Sequence, residues 1–180
     1  MPERIKTDIV FTNGCFDVFH YGHLQLLRRA KQFADFLVVG INSDDSVRRL
    51  KGEGRPIFSL EYRSQILSSL IYVDGIVVFD EDTPLELIKK LRPRVLVKGG
   101  DWTEDSIVGA SFVKGLGGRV EVIETVPGFS TSNIIEQNYK HQLLNLLAVI
   151  HRDGGHHTGE HGIDKSVEDA MEIVSNLMVK

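Results

Sequence analysis

Cysteine is nearly absent, with Cys15 standing alone in 180 residues. No disulfide can form within the chain, and the composition suits a reducing compartment. Long apolar runs are missing as well. The densest, Leu143 to Ile150, is interrupted by Asn145 and is far too short to span a bilayer. Met1 to Thr7 is charged and has no apolar stretch of the signal-peptide kind. Nor is there a large excess of one charge. Against 25 Asp and Glu stand 21 Lys and Arg, a formal net charge of −4. Such a balance gives no general attraction to nucleic acid or to an anionic membrane, so any anion site must be built locally. These absences lead us to expect a soluble, cytoplasmic protein. What is present is ordinary for a globular chain, 42% hydrophobic and 26% charged, and long enough for one domain plus a modest extension.

Short apolar runs alternate with amphipathic stretches. Ile9 to Thr12, Phe36 to Ile41, Gly75 to Phe79, Val95 to Val97 and Val120 to Ile123 read as five buried strands. Leu24, Leu27 and Ala30 carry a helical period. Leu60 to Ile71 predicts a second helix with Tyr62, Ile66, Leu67 and Leu70 on its inner face. Pro84 suits the first turn of a third helix that runs to about Leu91. Continuous apolar strands separated by helices predict a Rossmann-like, doubly wound α/β fold with a parallel sheet of about five strands. Ligands of such sheets bind at the carboxyl ends of the strands, near the point where strand order reverses.

The segment after the first strand is Thr12-Asn13-Gly14-Cys15-Phe16-Asp17-Val18-Phe19-His20-Tyr21-Gly22-His23. A strand runs into a glycine turn, and a helix opens at about His20. A helix N-terminus offers unpaired N–H groups and the positive end of a dipole, both suited to phosphate. His20 and His23 are three residues apart and share one face of the first turn. Gly22 between them lets a ligand approach the backbone. Two imidazoles there can donate hydrogen bonds to phosphate oxygens as charge develops. Cys15 reads as small packing rather than as a nucleophile, because no base for it is evident.

This H-x-G-H stretch resembles the signature of the cytidylyltransferase-like superfamily of nucleotidyltransferases. The resemblance continues in order through Asn42-Ser43-Asp44, Arg48-Arg49-Leu50-Lys51-Gly52, Arg55-Pro56-Ile57, Leu60-Glu61-Tyr62-Arg63, Glu81-Asp82-Thr83-Pro84, Lys98-Gly99-Gly100-Asp101 and Gly128-Phe129-Ser130-Thr131-Ser132. Over about residues 8 to 138 it is most similar to the adenylyltransferase domain of the bifunctional heptose kinase–adenylyltransferases of lipopolysaccharide precursor synthesis. Glycerol-3-phosphate cytidylyltransferases are more distant. The resemblance implies that ATP or CTP is attacked at its α-phosphorus by a sugar phosphate such as a heptose 1-phosphate, with release of pyrophosphate and with Mg²⁺ on the phosphates. It implies catalytic roles for His20, His23, Lys51 and Arg63. Around the nucleotide it places Thr12, Asn13, Gly14, Cys15, Phe16, Asp17, Gly22, Lys98, Gly99, Gly100, Asp101, Ser130, Thr131 and Ser132. Towards the acceptor it places Asn42, Asp44, Arg55 and Trp102. Asp17 either helps to hold Mg²⁺ or fixes the loop. Trp102 stands where the heptose enzymes more often have tyrosine, and Ser132 where a threonine is usual. Two other readings remain open: a cytidylyltransferase for glycerol phosphate or a similar alcohol phosphate, and a nucleotide-binding interaction protein without turnover. A homodimer is expected by the same resemblance.

The resemblance ends near Asn138, where we place a domain boundary. Residues 139–180 read as a helical extension, Tyr139 to Ile150 and about Val167 to Met178, around a polar loop. Five of the seven histidines fall between His141 and His161. His151, His156, His157 and His161 are weak metal candidates, because their spacing fits no familiar metal motif.

Overall fold

A computed structural model describes residues 8–124 and 130–141. Five strands form one sheet: β1 (Ile9–Gly14), β2 (Phe36–Asn42), β3 (Gly75–Phe79), β4 (Val95–Gly99) and β5 (Arg119–Ile123). Their order is β3-β2-β1-β4-β5, and every pairing is parallel. The expected doubly wound sheet is therefore present, and strand order reverses between β1 and β4. The register sets Val39 beside Thr12 on one flank and Val97 beside it on the other.

The helices are α1 (Tyr21–Ala30), α2 (Asp44–Lys51), α3 (Leu60–Ser68), α4 (Leu85–Leu91) and α5 (Ala110–Gly115). Period-two alternation sorts the strand residues into two cores. Val10, Val39, Val95 and Val97 pack with Leu27 of α1 and Leu67 of α3. Phe11, Val38, Leu96 and Val120 pack with Ile88 of α4 and Val113 of α5. Each face of the sheet is thus covered, which accounts for strands apolar along nearly their whole length.

Two helices were not anticipated. In α2 only Ser46 and Val47 are buried, so no apolar stripe announces it. Its signal is electrostatic and local. The Ser43 hydroxyl accepts from the Ser46 amide, Asp44 and Asp45 occupy the first turn, and Arg48, Arg49 and Lys51 occupy the last. The other, α5, is only 6 residues long. The second predicted helix is also corrected. It ends at Ser68, Tyr62 is 60% exposed, and Arg63 takes the inward position at 1%. The inner face runs through 63, 67 and 70, and this spacing of four and three places the arginine in line with the leucines.

The chain divides into two units, with the break between Thr131 and Ser132. In the second unit residues 132–141 are helical. The rest of the expected extension, including His151, His156, His157 and His161, lies outside the described residues. Among the described residues no helix is long and apolar enough to cross a membrane, and no group of three or more His, Cys, Asp or Glu could hold a metal ion.

Candidate active site

The site begins where β1 ends. Phe16 and Val18 both have φ of 49°, a left-handed conformation that costs an aromatic or β-branched residue about 1–3 kcal/mol. Two burials hold the turn in place. The Phe16 ring is 3% exposed and belongs to the α1-side core. Asp17 is 1% exposed. Its carboxylate accepts from Arg55 Nε at 2.6 Å, from the Ile57 amide at 2.9 and 3.0 Å and from the Phe58 amide at 3.0 Å. These bonds hold the acid ionised below its ordinary range despite a burial that acts the other way. Asp17 therefore fixes the loop. It does not fit a magnesium ligand, because its oxygens are committed to protein donors. Phe16 likewise cannot offer its ring to a nucleotide.

His20 is the N-cap of α1, and its Nδ1 accepts from the Gly22 amide at 3.1 Å. The ring proton of the neutral imidazole is therefore on Nε2. His23 lies on the same face. The two rings stack with centroids 3.8 Å apart, and Phe16 and Phe19 flank His23 at 5.1 and 5.6 Å. Burial, and then the neighbouring His20, push the His23 pKa down to about 3. Burial lowers His20 also. Burial thus disfavours the charged form of both imidazoles, and a neutral imidazole carries an N–H donor rather than a positive charge. His23 Nδ1 is buried without a hydrogen-bond partner.

This arrangement predicts a pH dependence of folding. A histidine whose folded pKa lies below its unfolded value of about 6.5 resists protonation in the folded state. Stability is then fully present above that value and is lost as pH falls through it towards about 3. One such group gives a slope of about 1.4 kcal/mol per pH unit. Asp17 and Asp74, whose pKa values lie below the ordinary 3.8, titrate beneath most of this window. Urea unfolding at about pH 7, 6 and 5 should show the decline, and His23→Gln should flatten it. An unchanged slope in the variant would contradict the assignment.

Arg63 was expected to take a catalytic role, and the structure buries it among protein acceptors. Its guanidinium donates to the carbonyls of Phe58 (3.0 Å), Cys15 (2.5 Å) and Asn42 (2.9 Å) and to the Asp44 carboxylate (2.7 Å). It joins the β1 turn, the end of β2, the start of α2 and the loop before α3. Asn42, an expected acceptor contact, is 3% exposed and donates to the Ser46 hydroxyl at 2.9 Å. Asp44 is occupied with Arg63. Thr12 is fully buried in the sheet, with its hydroxyl unpartnered. Arg55 remains partly exposed, oriented through Nε by Asp17.

The other expected residues stand at the carboxyl edge of the sheet. Lys98 Nζ donates to Asn13 Oδ1 at 3.1 Å and lies 5.8 Å from the Trp102 ring centroid. Burial lowers its pKa. Lys51 ends α2 and is exposed. Gly100, at φ 125°, turns the chain, and its amide donates to the Ile123 carbonyl at 3.0 Å. A side chain at Gly99 would press on Leu26 at 3.3 Å. Asp101 and Trp102 are exposed. The Thr131 hydroxyl donates to the Asp17 carbonyl at 2.8 Å, so it braces the β1 turn. Ser130 is partly exposed and Ser132 exposed. Sequence reasoning missed the brace itself. It left Phe58 and Ile57 unmentioned as site residues, because only their backbone groups take part.

The pattern of the cytidylyltransferase-like family matches residues 11–144. Over 132 residues the chain is 58% identical to the bifunctional protein HldE of Geobacter sulfurreducens, a match that covers 73% of this chain and 27% of that protein. It is 53% identical over 137 residues to HldE of Campylobacter curvus, covering 76% and 28%. The chain spans little more than a quarter of the length of these curated relatives. Among solved structures, the lipopolysaccharide core biosynthesis protein of Thermoplasma volcanium aligns with a TM-score of 0.55 at 25% identity, over 67% of this chain and 97% of that one.

Proposed function

The chain belongs to the cytidylyltransferase-like family, a family of nucleotidyltransferases, and from that premise we propose that it transfers a nucleotidyl group from ATP or CTP to a sugar phosphate of the heptose 1-phosphate kind. The observation that carries this reading is the stacked His20–His23 pair on the first turn of α1, directly behind Gly14 and beside the reversal of strand order. An oxygen of the acceptor phosphate attacks the α-phosphorus, the bond to the β-phosphate oxygen breaks, and pyrophosphate departs. The acceptor phosphate is already nucleophilic, so no protein nucleophile is required. Catalysis is positioning together with charge stabilisation. The positive end of the α1 dipole favours phosphate oxygens at this helix start, and the imidazole N–H groups donate to oxygens on which charge grows. Mg²⁺ belongs to this reading as part of the metal–triphosphate substrate, where it neutralises the departing charge.

The HldE relatives and the lipopolysaccharide core biosynthesis protein favour a sugar phosphate as acceptor. A cytoplasmic homodimer completes the proposal. The unpaired thiol of Cys15 supports the first part, and the apolar stretch 143–150 of the sequence supports the second.

Pyrophosphate release with ATP and then CTP, across a panel of sugar and polyol phosphates, tests the reading. Release with ATP and a sugar 1-phosphate is expected. Release only with CTP and glycerol phosphate would identify the alcohol-phosphate alternative. Nucleotide binding with no release on any acceptor would replace the enzyme reading with that of a binding module.

A further inference from the structure

The turn between β1 and α1 is strained on both sides of Asp17. Phe16 and Val18 each stand at φ 49°, in the left-handed region. Residues so placed persist only where the surrounding structure over-determines them. The first half of the turn is held several times over. Arg63 donates to the Cys15 carbonyl at 2.5 Å, the Phe16 ring is buried, and the Asp17 carboxylate accepts from Arg55, Ile57 and Phe58. The second half runs from the Asp17 carbonyl through Val18 and Phe19 to His20. Here Thr131 supplies the hold from a distant segment. Its hydroxyl donates to the Asp17 carbonyl at 2.8 Å, across 114 positions.

The place of that bond gives it leverage. The Asp17 carbonyl belongs to the peptide that joins Asp17 to Val18, and a peptide is a rigid plane. A bond that fixes this plane resists the rotation by which Val18 would relax to negative φ. Such a rotation would swing Phe19 and His20 away from their present course. His20 is the N-cap of α1, its Nδ1 accepts from the Gly22 amide at 3.1 Å, and its ring stacks on His23 at 3.8 Å. The Thr131 hydroxyl has a single proton. Given to the Asp17 carbonyl, that proton is not available to a phosphate oxygen.

We propose that Thr131 is a positioning residue: through the Asp17 carbonyl it holds Val18 in its left-handed conformation and so sets the placement of His20, rather than donating to the nucleotide. The proposal rests on the nucleotidyl-transfer reading for its effect on turnover, but the hold on the turn is tested without turnover.

Thr131→Val keeps the branched shape and removes the hydroxyl, whereas Thr131→Ser keeps the hydroxyl. Turnover is read as pyrophosphate release with ATP and the acceptor that supports it best. Thr131→Val should lower kcat about 10- to 100-fold, the effect of roughly an ångström of misplacement. Calorimetric affinity for ATP should change less than about threefold in the same variant. Thr131→Ser should recover most of kcat. Amide hydrogen exchange reads the turn itself, with no nucleotide present. Exchange over residues 18–24 should rise in Thr131→Val and return towards normal in Thr131→Ser. If Thr131→Val does not fold, Thr131→Ala, which loses the same donor, is measured with the same expectations. ATP affinity that falls as far as kcat would make Thr131 a nucleotide ligand and overturn the proposal. Normal turnover, or unchanged exchange over residues 18–24, would overturn it as well. Raised exchange in the variant, with no pyrophosphate release by the unsubstituted chain on any acceptor, would uphold the hold on the turn and overturn the enzyme reading instead.

Discussion

Alanine at His20, or glutamine at His23, is expected to lower kcat about 10²–10³-fold, roughly 3–4 kcal/mol of transition-state stabilisation. Nucleotide affinity should fall much less. The reason is that neutral imidazoles interact weakly with a ground-state phosphate and more strongly as charge builds on its oxygens. The two positions differ in a second respect. His20 holds the start of α1 through the Gly22 amide, so its loss should also cost about 1 kcal/mol of stability. His23 is packed between Phe16 and Phe19, which is why glutamine rather than alanine is the informative change there. Steady-state kinetics beside a nucleotide-binding titration measures the split. Near-normal turnover in both variants would remove the histidines from the mechanism.

Arg63→Met should be the most damaging single change to folding. It leaves three backbone carbonyls and the Asp44 carboxylate without their donor. Each buried acceptor left unpaired costs about 1–3 kcal/mol, although water can reach Asp44 and relieve part of the loss. A net loss of about 3 kcal/mol or more is expected from urea unfolding. Arg63→Lys should recover only part of it, since one ammonium cannot serve four acceptors spread over the β1 turn, the end of β2, the start of α2 and the loop before α3. A direct phosphate role makes the opposite forecast. The methionine variant would then melt normally and lose triphosphate affinity alone. The measured pair of numbers decides between a brace and a ligand.

The five strands were legible because their signal is local. Runs such as FLVVGI have no polar residue to place at a surface, and a parallel sheet covered on both faces is the arrangement that buries them. The placement of His20 and His23 was legible for a similar reason. A glycine turn after a buried strand, followed by a helix start, is written within a dozen residues. The two missed helices show the limit of that approach. In α2 the apolar period is absent, and its cap and charge pattern is visible only once a helix is suspected. Tyr62 was placed inside on the strength of hydrophobicity, yet Arg63 holds the buried position because its charge is met by partners the local pattern does not contain.

The sequence by itself determined the fold class, the family and the identity of the two histidines, since each depends on residues near one another along the chain. The tertiary structure alone decided which cations are available to a ligand. Arg63 reaches Cys15 across 48 positions and Asp44 across 19, Arg55 reaches Asp17 across 38, and Thr131 reaches Asp17 across 114. No local period encodes such pairings. Whether a charged side chain is a brace or a free ligand group depends on what the fold brings against it, and at this sheet edge the fold pairs Arg55 and Arg63 with carboxylates, while Lys51 and Lys98 make no ion pair among the described residues.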